Sequence, residues 1–369
     1  MESTAAILWG PGQEWSVEPI ELDAPRGREV LVRMVASGMC HSDEHIVTGD
    51  LQSRPPVVGG HEGAGVVEAV GPDVSFVEVG DHVVFSFVPS CGACPSCASG
   101  HSNLCDNGGR LLSGRQLDGT SRHHARGEDL QTFLLLGTFA HHTVVHEWSC
   151  VKVPVEVPLD KACLVGCGVT TGWGSAVYAA DVQPGDKVAI VGVGGIGCAA
   201  VQGAAMAGAE QIFAIDPVEW KLEMAQGFGA THTATSLGAA KDLIERETWG
   251  RRCDKVIMAM GVGRGEIMDE VMAITAKRGR VVITNVHPVL ERSNSIPLLD
   301  LTLSEKQVVG SIFGSANPRK DIPRLLELFS AGRLDLDTMI TRTYSLDEIN
   351  QGFQDLRDGR NIRGVLVYE

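Results

Sequence analysis

Residues 186–208 read DKVAIVGVGGIGCAAVQGAAMAG, and this stretch decides the fold of the region around it. The apolar run KVAIV reads as a buried strand, and the alanine-rich run after Ile196 reads as a helix. Between them Gly192, Gly194 and Gly197 form G-x-G-x-x-G. In a strand, turn, helix context the three glycines permit, in order, a tight turn, close backbone approach to a pyrophosphate, and close packing of helix on strand. Gly195, inside the same turn, joins the candidate cofactor contacts. The next apolar run, QIFAI, ends in Asp216, at the separation where an acidic residue accepts hydrogen bonds from an adenosine ribose. No arginine follows it directly to take a 2′-phosphate, so NAD is expected over NADP. Lys221, five residues on, suits a ribose contact and equally a solvated helix lysine.

Strand and helix signals alternate outward from this motif through KLEMAQGFGA, CDKVIMAMG and GRVVITNV, as in a doubly wound parallel sheet. Upstream, EVLVRMVASG, GAGVVEAVGPDV and GDHVVFSFVPS are short β-rich runs punctuated by Gly, Pro and Asp, the pattern of antiparallel strands. Downstream, NPRKDIPRLLELFSAGRLD and SLDEINQGFQDLRDGRN read as amphipathic helices before a closing strand in RGVLVYE. The expected division is a mainly β domain at 1–168, a dinucleotide-binding domain at 169–311, and a tail at 312–369 that returns to the first. Two domains also suit 369 residues.

Composition narrows the function. A formal charge of -15 repels phosphate backbones and anionic lipid, and no basic run offsets it, which argues against nucleic-acid and membrane partners. No apolar run approaches the roughly 20 residues of a membrane span. The start, MESTAAILWG, lacks the charged and apolar regions of an export signal, so a cytoplasmic location is expected.

Cys91, Cys94, Cys97 and Cys105 lie in VPSCGACPSCASGHSNLCDN. This C-x2-C-x2-C-x7-C spacing lets four thiolates close a tetrahedron around one Zn2+. Such a site has no open position, so it is structural and catalysis lies elsewhere. Three further potential ligands are Cys40 in SGMCHSDEH, His61 in VVGGHEGAG and Cys167 in LVGCGVTTG; spacing alone does not bring them together. His101, His123, His124, His141, His142 and His146 have no paired ligand spacing and read as ordinary loop and strand histidines, and Cys150, Cys163, Cys198 and Cys253 as small apolar side chains.

The segments GMCHSDEHIVTGD, GGHEGAG, the four-cysteine stretch, ACLVGCGVTTGWGSAV and the glycine motif occur in this order in zinc-dependent medium-chain alcohol dehydrogenases, which the chain resembles over essentially its whole length. Through GCGVTTGWGSAV, DPVEWK, ITAKRG, NPRKDIP and NIRGV it is most similar to the actinobacterial members that reduce N,N-dimethyl-4-nitrosoaniline. The resemblance implies an α/β fold, with a Rossmann sheet beside a GroES-like catalytic domain carrying the zinc lobe, and a homodimer or homotetramer.

It further implies two zinc ions per chain, with Cys40, His61 and Cys167 binding the catalytic one. Ser42 would take the alcohol proton and pass it through the cofactor ribose to His45 at the surface. Asp43 would orient a ligand imidazole, and Glu62 would stand close behind the metal. His41 would face the cofactor pyrophosphate where many relatives carry arginine, giving a weaker, pH-dependent contact. Arg363 matches a second pyrophosphate-binding arginine, Thr171 a threonine beside the nicotinamide, and Phe87 an aromatic of the substrate pocket, although a core role for Phe87 fits as well. Asn285 stands near the nicotinamide at a departure from the family pattern.

The implied activity is hydride transfer from an alcohol to NAD, reversible, with the aldehyde as product. The nitrosoaniline-reducing members are nicotinoproteins, which hold NAD through the cycle; a small redox carrier would then be the partner. Two other readings compete. A thiol-dependent formaldehyde dehydrogenase would need a carboxylate anchor, for which Arg110, Arg115 or Arg122 could serve. A non-catalytic NAD-binding zinc scaffold would need neither an open metal site nor a proton path. Residues 106–136 read as a substrate-entrance or interface loop.

Overall fold

A computed structural model describes residues 1–369. The chain divides into two units, Met1–Cys167 with Asn317–Glu369, and Gly168–Ala316. No helix is long and apolar enough to cross a membrane.

The first unit holds a six-stranded and a seven-stranded sheet. The larger one is organised by β1 (Glu29–Met39), which is apolar almost throughout because both its faces are covered. It pairs antiparallel with β2 (Glu62–Val70), and the register sets Gly38 opposite Glu62. Immediately after Cys40 comes α1 (His41–Thr48), a segment without strand alternation. Asp43 and Glu44 stand in its first turn, where the helix dipole favours negative charge, and Gly49 ends it in the left-handed conformation with φ 85°. Its inner side carries Asp43, His45 and Ile46, all buried. Trp15, Phe139 and Phe353 anchor the core by edge and stacked ring contacts.

The second unit is built on a six-stranded sheet whose strand pairs are all parallel. Its central strand is β3 (Lys187–Val191), followed by α2 (Gly195–Met206) and β4 (Gln211–Ile215). Numbered along the unit, the strands stand in the order 3-2-1-4-5-6. The order reverses beside β3, the place where open α/β sheets bind ligands at the carboxyl ends of their strands.

The tail from Asn317 onward belongs to the first unit, whereas residues 312–316 stay with the second. Helix Pro318–Ser330 and strand Ile340–Tyr344 precede β5 (Arg363–Val367), which pairs antiparallel with β1 and sets Gly364 opposite Met39. Residues 363 and 364 thereby sit next to the segment that carries Cys40.

Candidate active site

Two groups of metal-ligating side chains form in the first unit. In the first, the sulfurs of Cys91, Cys94, Cys97 and Cys105 all lie within 4.8 Å of one another. The Cys91–Cys97 and Cys94–Cys105 separations are both 3.9 Å, against the S–S edge of about 3.8 Å that a tetrahedron with Zn–S bonds near 2.3 Å requires. Backbone N–H groups of Cys94, Cys97 and Asp106 point at these sulfurs at 3.4–3.5 Å, as suits thiolate charge. The set fits a structural zinc.

In the second group the ligand atoms of Cys40, His61 and Cys167 also lie within 4.8 Å of one another, and all three residues are buried. Sheet pairing creates this cluster: Cys40 follows β1 and His61 precedes β2. A hydrogen bond from Cys167, opposed by burial and aided by His61, holds the Cys40 thiol well below the usual range. His61 Nε2 is buried with no hydrogen-bond partner, while Nδ1 sits 3.3 and 3.2 Å from the two oxygens of the buried Asp43. Burial disfavours the imidazolium, but Asp43 and Cys40 outweigh it and push His61 up to about 10. A cation is thus electrostatically welcome at Nε2. Two thiols and one imidazole leave the fourth tetrahedral position open, the donor set of a catalytic zinc.

The glycine turn lies in the second unit. Gly192 has φ 91°, and a Cβ there would approach Met260 Cα to 2.6 Å. At Gly197 a Cβ would collide with the Gly192 carbonyl, so the helix packs on the turn as a bare backbone. Gly194 caps α2 and Gly195 opens it. Asp216 accepts from Val193 N at 2.8 Å and Val218 N at 3.0 Å. Each oxygen keeps a lone pair for a ribose hydroxyl. Thr171 is buried in helix Gly168–Gly174, and Lys221 lies 5.9 Å from the Trp220 ring. Asn285 Nδ2 is 3.5 Å from His287 Nε2.

Residues 26–155 match the alcohol dehydrogenase GroES-like domain, and residues 195–331 match the zinc-binding dehydrogenase family. Alcohol dehydrogenase B of Mycobacterium tuberculosis is 50% identical over 370 residues, covering 100% of this chain and 99% of the relative. The chain belongs to the zinc-binding, medium-chain alcohol dehydrogenase family. The NDMA-dependent alcohol dehydrogenase of Amycolatopsis methanolica is 47% identical over 368 residues, with 100% and 99% coverage. Among solved structures, an alcohol dehydrogenase zinc-binding domain protein from Burkholderia ambifaria superposes with a TM-score of 0.93 at 34% identity, covering 100% of this chain and 99% of the other. Benzyl alcohol dehydrogenase from Acinetobacter calcoaceticus gives 0.93 at 31% identity, covering 100% of both.

Within this dehydrogenase several side chains stand differently from the sequence expectation. His45 is not at the surface: it is 2% exposed, because α1 turns it inward beside Ile46 and the Gly49 turn brings Asp50 Oδ2 to 3.4 Å from its Nδ1. Arg363, expected at a pyrophosphate, is buried and ion-paired with Glu62. Of the arginines considered as a carboxylate anchor, Arg122 is fully engaged. It donates to both Glu29 oxygens at 2.7 Å and to Asp118 at 2.6 Å, and is 1% exposed. Arg110 bonds the Leu117 carbonyl, and Arg115 lies 3.4 Å from Asp129.

Ser42 Oγ is 3.7 Å from Cys40 Sγ. His41 opens α1 with its ring 6.5 Å from that of His45. Phe87 meets the His61 ring edge-on at 5.9 Å, which places it against the cluster. Sequence reasoning missed Phe133, whose ring stands edge-on to His61 at 5.3 Å; the apolar run FLLL inside the long loop was the available signal. The histidines set aside as metal ligands join neither cluster. His123 is buried and pushed down to about 3, chiefly by burial and then by His124 and Arg122.

Proposed function

We propose that the protein oxidises alcohols, primary ones above all, to aldehydes with NAD as hydride acceptor, and catalyses the reverse reduction. The observation that carries this is the buried Cys40, His61 and Cys167 cluster with Asp43 behind the imidazole. In this reading there are two zinc ions per chain, one in the Cys91, Cys94, Cys97, Cys105 lobe and one at the open cluster. Zinc held there would lower the pKa of the alcohol and bound NAD would accept hydride. Ser42 takes the alcohol proton, and His45 with Asp50 beside it carries it onward to water. Asp43 fixes the tautomer of His61, and Glu62 is held in place by Arg363. Phe87 and Phe133 supply apolar surface beside the ligand histidine.

Asp216 selects NAD by accepting from the ribose hydroxyls and repelling a 2′-phosphate. The Gly192–Gly197 turn and Asp216 would hold the dinucleotide through turnover, and a small redox carrier would then be the oxidant; the similarity to the NDMA-dependent enzyme supports this. A homodimer or homotetramer fits the exposed Leu298, Leu299 and Leu303, 70–74% accessible, beside the open sheet edge at Gln307–Gly310. None of the ten cysteines is joined in a disulfide, as suits a reducing cytoplasm. The thiol-dependent formaldehyde reading is weakened by the engagement of Arg122.

Desalted protein assayed on an alcohol panel with and without added NAD, after metal analysis and an absorbance spectrum, tests these points. Near-stoichiometric dinucleotide with turnover on an artificial acceptor is the expected result. Empty protein that needs free NAD for every cycle ends the retention reading, and absence of alcohol turnover under both conditions ends the whole.

A further inference from the structure

We propose that Tyr368 is a positioning residue for the ligand histidine His61, acting through Thr138. The proposal rests on the reading of Cys40, His61 and Cys167 as a metal site. Tyr368 Oη donates to the Thr138 carbonyl at 2.7 Å. Thr138 N donates to the Gly60 carbonyl at 3.1 Å, and Phe139 N to that of Gly59 at 2.9 Å. Gly60 N donates to Asp43 Oδ1 at 2.9 Å, and Asp43 holds His61 Nδ1. The chain of contacts from the phenol to the imidazole is therefore continuous.

Packing makes this chain stiff. Thr138 is fully buried, and its hydroxyl is fixed by Ser37 Oγ at 2.6 Å. It lies against both glycines that flank the His61–Glu62 pair: a Cβ at Gly60 would collide with Thr138 Oγ1, and a Cβ at Gly63 would reach Thr138 Cγ2 at 2.7 Å. A shift of Thr138 is thus passed to the loop that carries the ligand, because there is no space to absorb it. Removing the phenol hydroxyl takes a donor from a buried carbonyl and frees that shift. Residues that hold a ligand at second hand typically change metal affinity tenfold or more; Tyr368 stands further back, and about a fivefold effect is expected.

The test is Tyr368→Phe in full-length protein with Co2+ in place of zinc, and Tyr344→Phe as the matched control. Tyr344 is another buried tyrosine of the same unit, whose hydroxyl donates to Asp355 at 2.8 Å, a carboxylate otherwise held by Arg342, Gln351 and Arg360. The expected result is a shifted ligand-field band at the two-thiolate, one-imidazole site and about fivefold faster release of that ion to a chelator in Tyr368→Phe. Tyr344→Phe keeps the wild-type band and rate while losing comparable thermal stability. Thr138→Ser, which keeps the hydroxyl and carbonyl but removes the methyl packed toward Gly63, shifts the band in the same sense by less and serves if Tyr368→Phe does not fold. A wild-type band and release rate in the variants, or an equal change in Tyr344→Phe, overturns the proposal. A wild-type protein that takes Co2+ only into the four-cysteine lobe overturns the metal reading instead.

Discussion

The four-cysteine lobe and the Cys40, His61, Cys167 cluster meet the same demand, ligand atoms within 4.8 Å, by opposite means. In the lobe every ligand comes from Cys91–Cys105, and two short hops of sequence set most of the geometry. Closing so short a loop costs little chain entropy, and the local backbone supplies N–H donors to the sulfurs. The second cluster has no such local logic. Its ligands sit on separate segments, and the β1–β2 register with Gly38 opposite Glu62 brings two of them together. Its supports, Asp43, Gly60, Phe87 and Phe133, come from four places in the chain. A metal in the lobe should therefore stabilise local structure, whereas the second cluster is prepared by a fold that already exists.

The largest effect expected from breaking this contrast is on turnover. His61→Ala or Cys40→Ala lowers kcat by on the order of 10³-fold or more, since several kcal/mol of charge stabilisation are lost. Zinc falls by one equivalent and the circular dichroism spectrum is kept. Loss of both metals in these variants would show that the two regions are not independent.

The reciprocal change, Cys91→Ala, removes the lobe metal and lowers the melting temperature by about 5–10 °C. Turnover per folded molecule stays within about threefold of wild type. A calorimetric scan with metal analysis decides it, and an unshifted melt would mean that the lobe folds without its ion.

The smallest effect sharpens the role of α1 beside the Cys40, His61 and Cys167 cluster. His45→Gln lowers alcohol oxidation by about tenfold below neutral pH, a modest loss for a proton-transfer group. The loss fades in alkaline solution, where hydroxide takes the proton directly. Zinc content is unchanged. A flat pH profile relative to wild type, or loss of zinc, removes His45 from the proton path.

Sequence by itself determined what depends on neighbours along the chain. The glycine turn was legible because Gly192, Gly194 and Gly197 must follow a strand and open a helix, and the parallel order 3-2-1-4-5-6 is what that unit builds. The structural lobe was legible because ligand spacing is nearly ligand distance. Cys40, His61 and Cys167 were visible only as residue types in family-like segments, since spacing says nothing about strand register. Tertiary structure alone decided the burial of His45 and its partner Asp50, the pairing of Arg363 with Glu62, the locking of Arg122 between Glu29 and Asp118, and the place of Phe133. Each of these joins side chains that sheet pairing, a helix face or a turn brings together. Such contacts are fixed by close packing of the whole core and leave no periodic or spacing signal in the sequence.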